Sequence, residues 1–123
     1  MIKEKKVSLW LGNFSSGEEF NGYVESGFNE DGNYIKSGFQ EDFLIEKYNY
    51  DLIEKDWIID QCEDVSSLLT GFSCDDEIIP KFEKMISKDR LENYNSIILL
   101  YDFQYDGKII NKRMDYIGCV DIL

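Results

Sequence analysis

Ile97-Ile98-Leu99-Leu100-Tyr101 is apolar on both faces of a strand, and this run constrains the fold more than any other. A strand of alternating polarity can leave one face to water. This one must be covered on both faces, which reads as a central strand. Val7, Leu9 and Leu11 alternate with Ser8 and Trp10 at strand period, and Gly12-Asn13 ends that run. Trp10 on the second face points to cover there too. Tyr116 to Ile122 reads as a returning strand, with Asp106-Gly107 as the reversing turn before it. Gly118 in its middle signals a bulge or a close backbone approach.

The segments between are mostly helical in pattern. Ser15-x-x-Glu18 and Ser16-x-x-Glu19 both have capping-box spacing. A helix is predicted over about residues 17–25, with Phe20, Tyr23 and Val24 inward. Asn29-Glu30-Asp31-Gly32-Asn33 is a turn cluster. It fails as a calcium loop, because Gly32 stands fourth from Asn29 where an EF-hand needs its glycine sixth. Ser37-x-x-Gln40 predicts a capped short helix carrying Phe39, Phe43 and Leu44. Leu52, Ile53, Trp57, Ile58 and Ile59 fit neither period, so residues 46–64 receive no assignment. Asp64 opens a brief helix with Val65, Leu68 and Leu69 that closes at Gly71. From Asp75 to about Leu91 one helix is predicted, its stripe formed by Ile78, Ile79, Phe82, Met85 and Ile86. Pro80 then lies in or near its first turn. The chain reads as one α+β domain over residues 1–123: a small antiparallel sheet, made of the N-terminal strand and a C-terminal hairpin, packed against helices.

Charge narrows the function. The chain has 25 acidic and 13 basic residues, a net charge of −12, and no histidine. Histidine bases, histidine metal ligands and histidine triads are therefore excluded. So acidic a chain is a poor direct binder of nucleic acid, since it lacks the charge to displace phosphate counterions. Residues 7–77 hold 17 acids against Lys36, Lys47 and Lys55, whereas residues 78–123 balance at seven of each sign. The charge is thus confined to one segment, which either keeps the protein soluble or faces a basic partner. Cys62, Cys74 and Cys119 have no C-x-x-C spacing, so a zinc site is not expected and each reads as a small apolar residue in a reducing compartment. No signal peptide and no membrane span is recognisable, and the expected location is the cytoplasm.

No nucleophile–base pair, phosphate loop or dinucleotide fingerprint occurs, and no catalytic residue or cofactor is expected. Carboxylates are too numerous for any pair to stand out. Asp102 and Asp106 flank the expected hairpin, where turn chemistry explains them. What stands out is acid interleaved with aromatic residues. Tyr48, Tyr50, Asp51, Glu54, Asp56, Trp57, Asp60, Glu63 and Asp64 form one stretch, and Asp75, Asp76 and Glu77 follow. Tyrosine and tryptophan can anchor an interface, and carboxylates can meet the Lys and Arg of a basic protein. The same residues also fit a plainer role, the aromatics as core and the acids as their solvated flanks.

Val7-Ser8-Leu9-Trp10-Leu11-Gly12-Asn13-Phe14 resembles the opening of the immunity protein 22 family of bacterial polymorphic-toxin systems. The resemblance continues, in order, through Ser37-Gly38-Phe39-Gln40-Glu41-Asp42-Phe43, Tyr50-Asp51, Leu68-Leu69 with Gly71-Phe72-Ser73, Asn95 to Tyr101, and Ile117-Gly118. It implies an α+β fold, a non-catalytic cytoplasmic antitoxin, no cofactor, and a toxin domain as partner. Many toxins of such systems are nucleases, whose surfaces must be basic to hold phosphate. A basic, nuclease-like toxin domain is the expected partner, with neither nucleic acid nor membrane bound directly. The alternative is an acidic mimic of nucleic acid that occupies a DNA- or RNA-binding protein.

Overall fold

The computed structural model describes residues 5–46, 48, 50–58, 64–103, 105 and 113–122, with only the backbone of Tyr50. In chain order the elements are β1 (Lys6–Gly12), α1 (Gly17–Val24), β2 (Gly27–Phe28), β3 (Tyr34–Ile35), α2 (Gly38–Asp42), a 3-10 turn (Tyr50–Leu52), β4 (Ile53–Trp57), α3 (Val65–Leu69), α4 (Asp75–Glu83), α5 (Lys88–Leu91), β5 (Ser96–Tyr101) and β6 (Met114–Asp121). Four strands form one sheet in the order β4-β5-β1-β6, every neighbouring pair antiparallel. β2 and β3 form a separate small hairpin.

The central strands are those that are buried on both faces. All six residues of β5 are buried, and β1 is buried from Val7 to Gly12. The expected C-terminal hairpin is not formed. β5 and β6 flank β1 instead of pairing with each other. Both run antiparallel to β1, so they are parallel to one another and need a crossover rather than a tight turn. Phe103 and Tyr105 lie on that connection, their rings 6.5 and 5.5 Å from the Trp10 ring. The Asp106-Gly107 turn lies outside the described residues. β6 carries the expected irregularity: Leu9 faces Gly118 and Trp10 faces Tyr116, so Ile117 is an extra residue. A Cβ on Gly118 would stand 2.7 Å from the Met85 sulfur, a close approach as well.

Each face of the sheet carries its own core. Val7, Leu9, Leu11, Ile97, Leu99 and Val120 meet α3, α4 and α5 through Leu68, Leu69, Ile78, Phe82 and Leu91. Trp10, Ile98, Leu100 and Met114 meet Phe14, Phe20, Val24, Phe39 and Phe43 around α1 and α2. Helices therefore cover both faces.

Caps place these helices. Ser16 accepts from the Glu19 N–H, and Ser37 with Gln40 forms a complete capping box. Asp64 caps α3 and Ser87 caps α5. The single helix expected from Asp75 to Leu91 is broken. α4 ends in a tightened turn, the Met85 N–H bonding to the Phe82 carbonyl at 2.9 Å, and Ser87 starts α5 afresh. Met85 is consequently exposed rather than part of the stripe. Pro80 stands at the sixth helical residue, beyond the first turn. Cys74 is exposed, in contrast to its expected apolar packing, whereas Cys119 is half-buried.

Gly12 closes β1 where no side chain fits. A Cβ there would stand 2.7 Å from Met114 Cγ and 3.3 Å from Phe14 Cε2, both in the core. Gly12→Ala is expected to destabilise the fold by about 1–3 kcal/mol through overpacking, measured by urea unfolding. The Phe14 backbone beside it is clamped by the Asn95 side chain. The Phe14 N–H donates to Asn95 Oδ1 at 3.0 Å, and Asn95 Nδ2 donates back to the Phe14 carbonyl at 2.8 Å.

Candidate functional site

The unassigned stretch at residues 46–64 contains the edge strand β4, and most of the candidate residues lie on or beside it. An edge strand with one half-covered face has no clean hydrophobic period, which is why its pattern was unreadable. Its residues divide between the two sheet faces. Glu54 and Asp56 pair with Leu99 and Ile97 and point to the α3/α4 side. Ile53 and Trp57 pack on the α1/α2 core.

On the α3/α4 side the acids gather. Glu54 accepts from the Ser73 N–H at 2.8 Å and from the Ser73 hydroxyl, which ties β4 to the turn before α4. The Tyr101 hydroxyl donates to the Ser73 carbonyl and lies 3.3 Å from Glu54 Oε1. Burial pushes the Tyr101 hydroxyl well above its ordinary pKa, and the Glu54 carboxylate and the charges near Cys74 and Asp75 push it further. A hollow of about 200 Å³ is lined by Asp51, Glu54, Tyr101 and Asp102, among others. A second hollow, of about 220 Å³, adjoins Lys55, Asp56, Thr70, Gly71 and Phe72.

Several of these acids also build the structure. Asp75 accepts from the Gly71 and Asp76 N–H groups. Asp56 accepts from the Trp57 N–H at 2.9 Å. Asp64 accepts from the Ser67 N–H at 2.7 Å, and these bonds from Ser67 hold its carboxyl below the usual range. Glu77 lies 3.8 Å from Lys81. Asp51, Asp56 and Asp76 are exposed.

Trp57 and Tyr48 are not on the acidic side. Trp57 is half-buried, and its Nε1 donates to the Phe14 carbonyl at 3.1 Å. Tyr48 is half-buried too; burial raises its pKa, and nearby Tyr34 adds to the rise. Tyr48 lines a groove of about 300 Å³ with Val24, Glu25, Ile53 and Lys55. Tyr50 opens the 3-10 turn before β4, and Asp60 and Glu63 lie outside the described residues. The structure thus splits the candidate set across the two sides of one strand edge.

Two residues at this edge escaped the sequence reading. Asp102 adds a carboxylate to the acidic hollow. Its signal was present, since it follows the doubly apolar strand, but turn chemistry accounted for it. Glu25 lines the groove at the end of α1 and carried no signal in the sequence. Away from the edge, Phe28 on β2 is 73% exposed, with its ring 5.6 Å from Tyr34.

Among the described residues, no group of three or more His, Cys, Asp or Glu could hold a metal ion, and no helix is long and apolar enough to cross a membrane. No curated protein and no solved structure matches the chain. A family model described as immunity protein 22 matches residues 7–121, nearly the whole chain. With its ordered motifs built into the β1 end, the α2 cap and the central strands, the chain belongs to the immunity protein 22 family.

Proposed function

We propose that this protein neutralises a basic toxin domain by binding it stoichiometrically through the β4 edge and blocking its active site. Membership in an immunity protein family supports a toxin-neutralising role in general. The observation that carries the basic character of the partner is the gathering of Asp51, Glu54, Asp56 and Asp102 with the acidic start of α4. Carboxylates so placed attract a surface built to hold phosphate, as a nuclease surface is. Opposite charge also speeds encounter, which matters when toxin appears suddenly in the same cytoplasm. Inhibition of this kind needs no chemistry from the inhibitor.

Co-expression with the toxin encoded by the adjacent gene tests the reading. Cells are expected to survive only when the protein is present, and the purified pair is expected to form a 1:1 complex that dissociates more readily as salt rises. A chain that binds no product of the adjacent genes and protects no cell refutes it.

A further inference from the structure

We infer that the toxin contributes a β-strand that pairs with the outer edge of β4, extending the four-stranded sheet to a fifth strand. This rests on the toxin-binding reading above and specifies its geometry.

The two edges of the sheet differ. At β6 the extra residue Ile117 breaks the regular ladder, and the Lys81 ammonium donates to the outward Asp121 carbonyl. A bulge and a covering lysine are usual ways of closing an edge. β4 is regular over its five residues, and among the described residues no strand pairs with its outer side. The direction of its backbone groups follows from one bond. The Ile58 N–H donates inward to the Asn95 carbonyl at 2.8 Å. Backbone groups alternate along a strand, so Ile53, Lys55 and Trp57 present theirs outward. The Trp57 N–H is already taken by Asp56, which leaves the N–H groups of Ile53 and Lys55 as outward donors.

The side chains choose the occupant. In a two-fold antiparallel pairing of β4 with a second copy, opposed residues share a sheet face. In every register that pairs three or more residues of β4, Glu54 or Asp56 then meets itself or the other, and like charges directly opposite destabilise a pair. A basic strand has the reverse effect. Its residues facing Glu54 and Asp56 would be Lys or Arg. Its residues facing Ile53 and Trp57 would be apolar and adjoin the groove of Val24 and Tyr48. Main-chain bonds then supply affinity, and alternate side chains supply specificity.

Lys55→Pro tests the pairing. It deletes one outward N–H and keeps the inward ladder to β5, as proline on the open side of an edge strand can. Affinity for the adjacent-gene toxin is expected to fall by about tenfold or more, whereas Lys55→Ala, which removes the side chain but keeps the N–H, is expected to lose far less. Hydrogen exchange on the native chain removes any dependence on how the proline variant folds. The Ile53 and Lys55 amides are expected to exchange freely alone and to become protected with the toxin bound. A complex that leaves both amides unprotected, or that Lys55→Pro binds normally, overturns strand pairing while leaving toxin binding intact. Absence of any complex overturns both.

Discussion

Trp10→Ala is expected to lower the free energy of unfolding by about 3–5 kcal/mol, the range for removing a large buried aromatic side chain. Trp10 lies on the central strand β1 and is fully buried. Its ring is met edge-on by Phe39 at 5.0 Å and by Tyr105 at 5.5 Å, and lies 5.2 Å from Tyr116. These neighbours come from α2, the β5–β6 crossover and β6, so one truncation loosens three segments at once. They are held by their own elements and cannot collapse fully into the space, which adds a cavity cost to the lost burial. Domain stabilities are commonly about 5–15 kcal/mol, so the variant keeps little margin. Urea unfolding followed by far-UV circular dichroism measures the loss. A change below about 1 kcal/mol would mean that the Trp10 pocket does not organise this core.

Charge reversal at the exposed acids of the β4 edge and the start of α4 is expected to have the largest effect on function. Asp51, Asp56 and Asp76 are the positions to change to lysine, because Glu54, Asp64 and Asp75 also hold loops and caps. The triple variant is expected to associate with its toxin about ten- to a hundredfold more slowly at low salt, since steering by opposite charge raises on-rates by roughly 10–10³. The dissociation rate is expected to change far less, because exposed charges act mainly on encounter. The dependence of association on ionic strength should also flatten or reverse. Stopped-flow association over a salt series reads both effects. An unchanged on-rate with an unchanged salt slope would remove the acidic edge from the binding surface.

Much of the candidate site was legible as composition but not as geometry. The acidic stretch around β4 was visible, and so were the acids that open α4. The Glu54–Ser73 bonds bring these two segments together, a pairing across 19 residues that no local pattern announces. Tyr48 and Trp57 read as companions of the acids because they are close in the chain. Strand alternation sends Trp57 to the other sheet face, where Tyr48 also packs and lines the α1 groove. The family motifs were legible as well, and the structure gives several of them packing roles. Gly12 and Phe14 are held against Met114 and Asn95, and Ser37 with Gln40 forms the α2 cap.

The sequence by itself determined the elements whose signal is local. β5 follows from a run apolar on both faces, β1 from its strand-period alternation, α1, α2 and α3 from their capping residues, and an irregularity in β6 from Gly118. It also determined that the excess of acid over base lies in residues 7–77. Only the tertiary structure decided the strand order and the covering of both sheet faces. A strand's sequence states how many of its faces are buried but not which strand lies beside it. β6 therefore read as the hairpin partner of β5, whereas β1, also buried on both faces, takes the place between them. The same order leaves β4 at the open edge. Its mixed residues are stable there because only half their surface is covered, and the Ile53 and Lys55 N–H groups point outward with no strand beside them among the described residues.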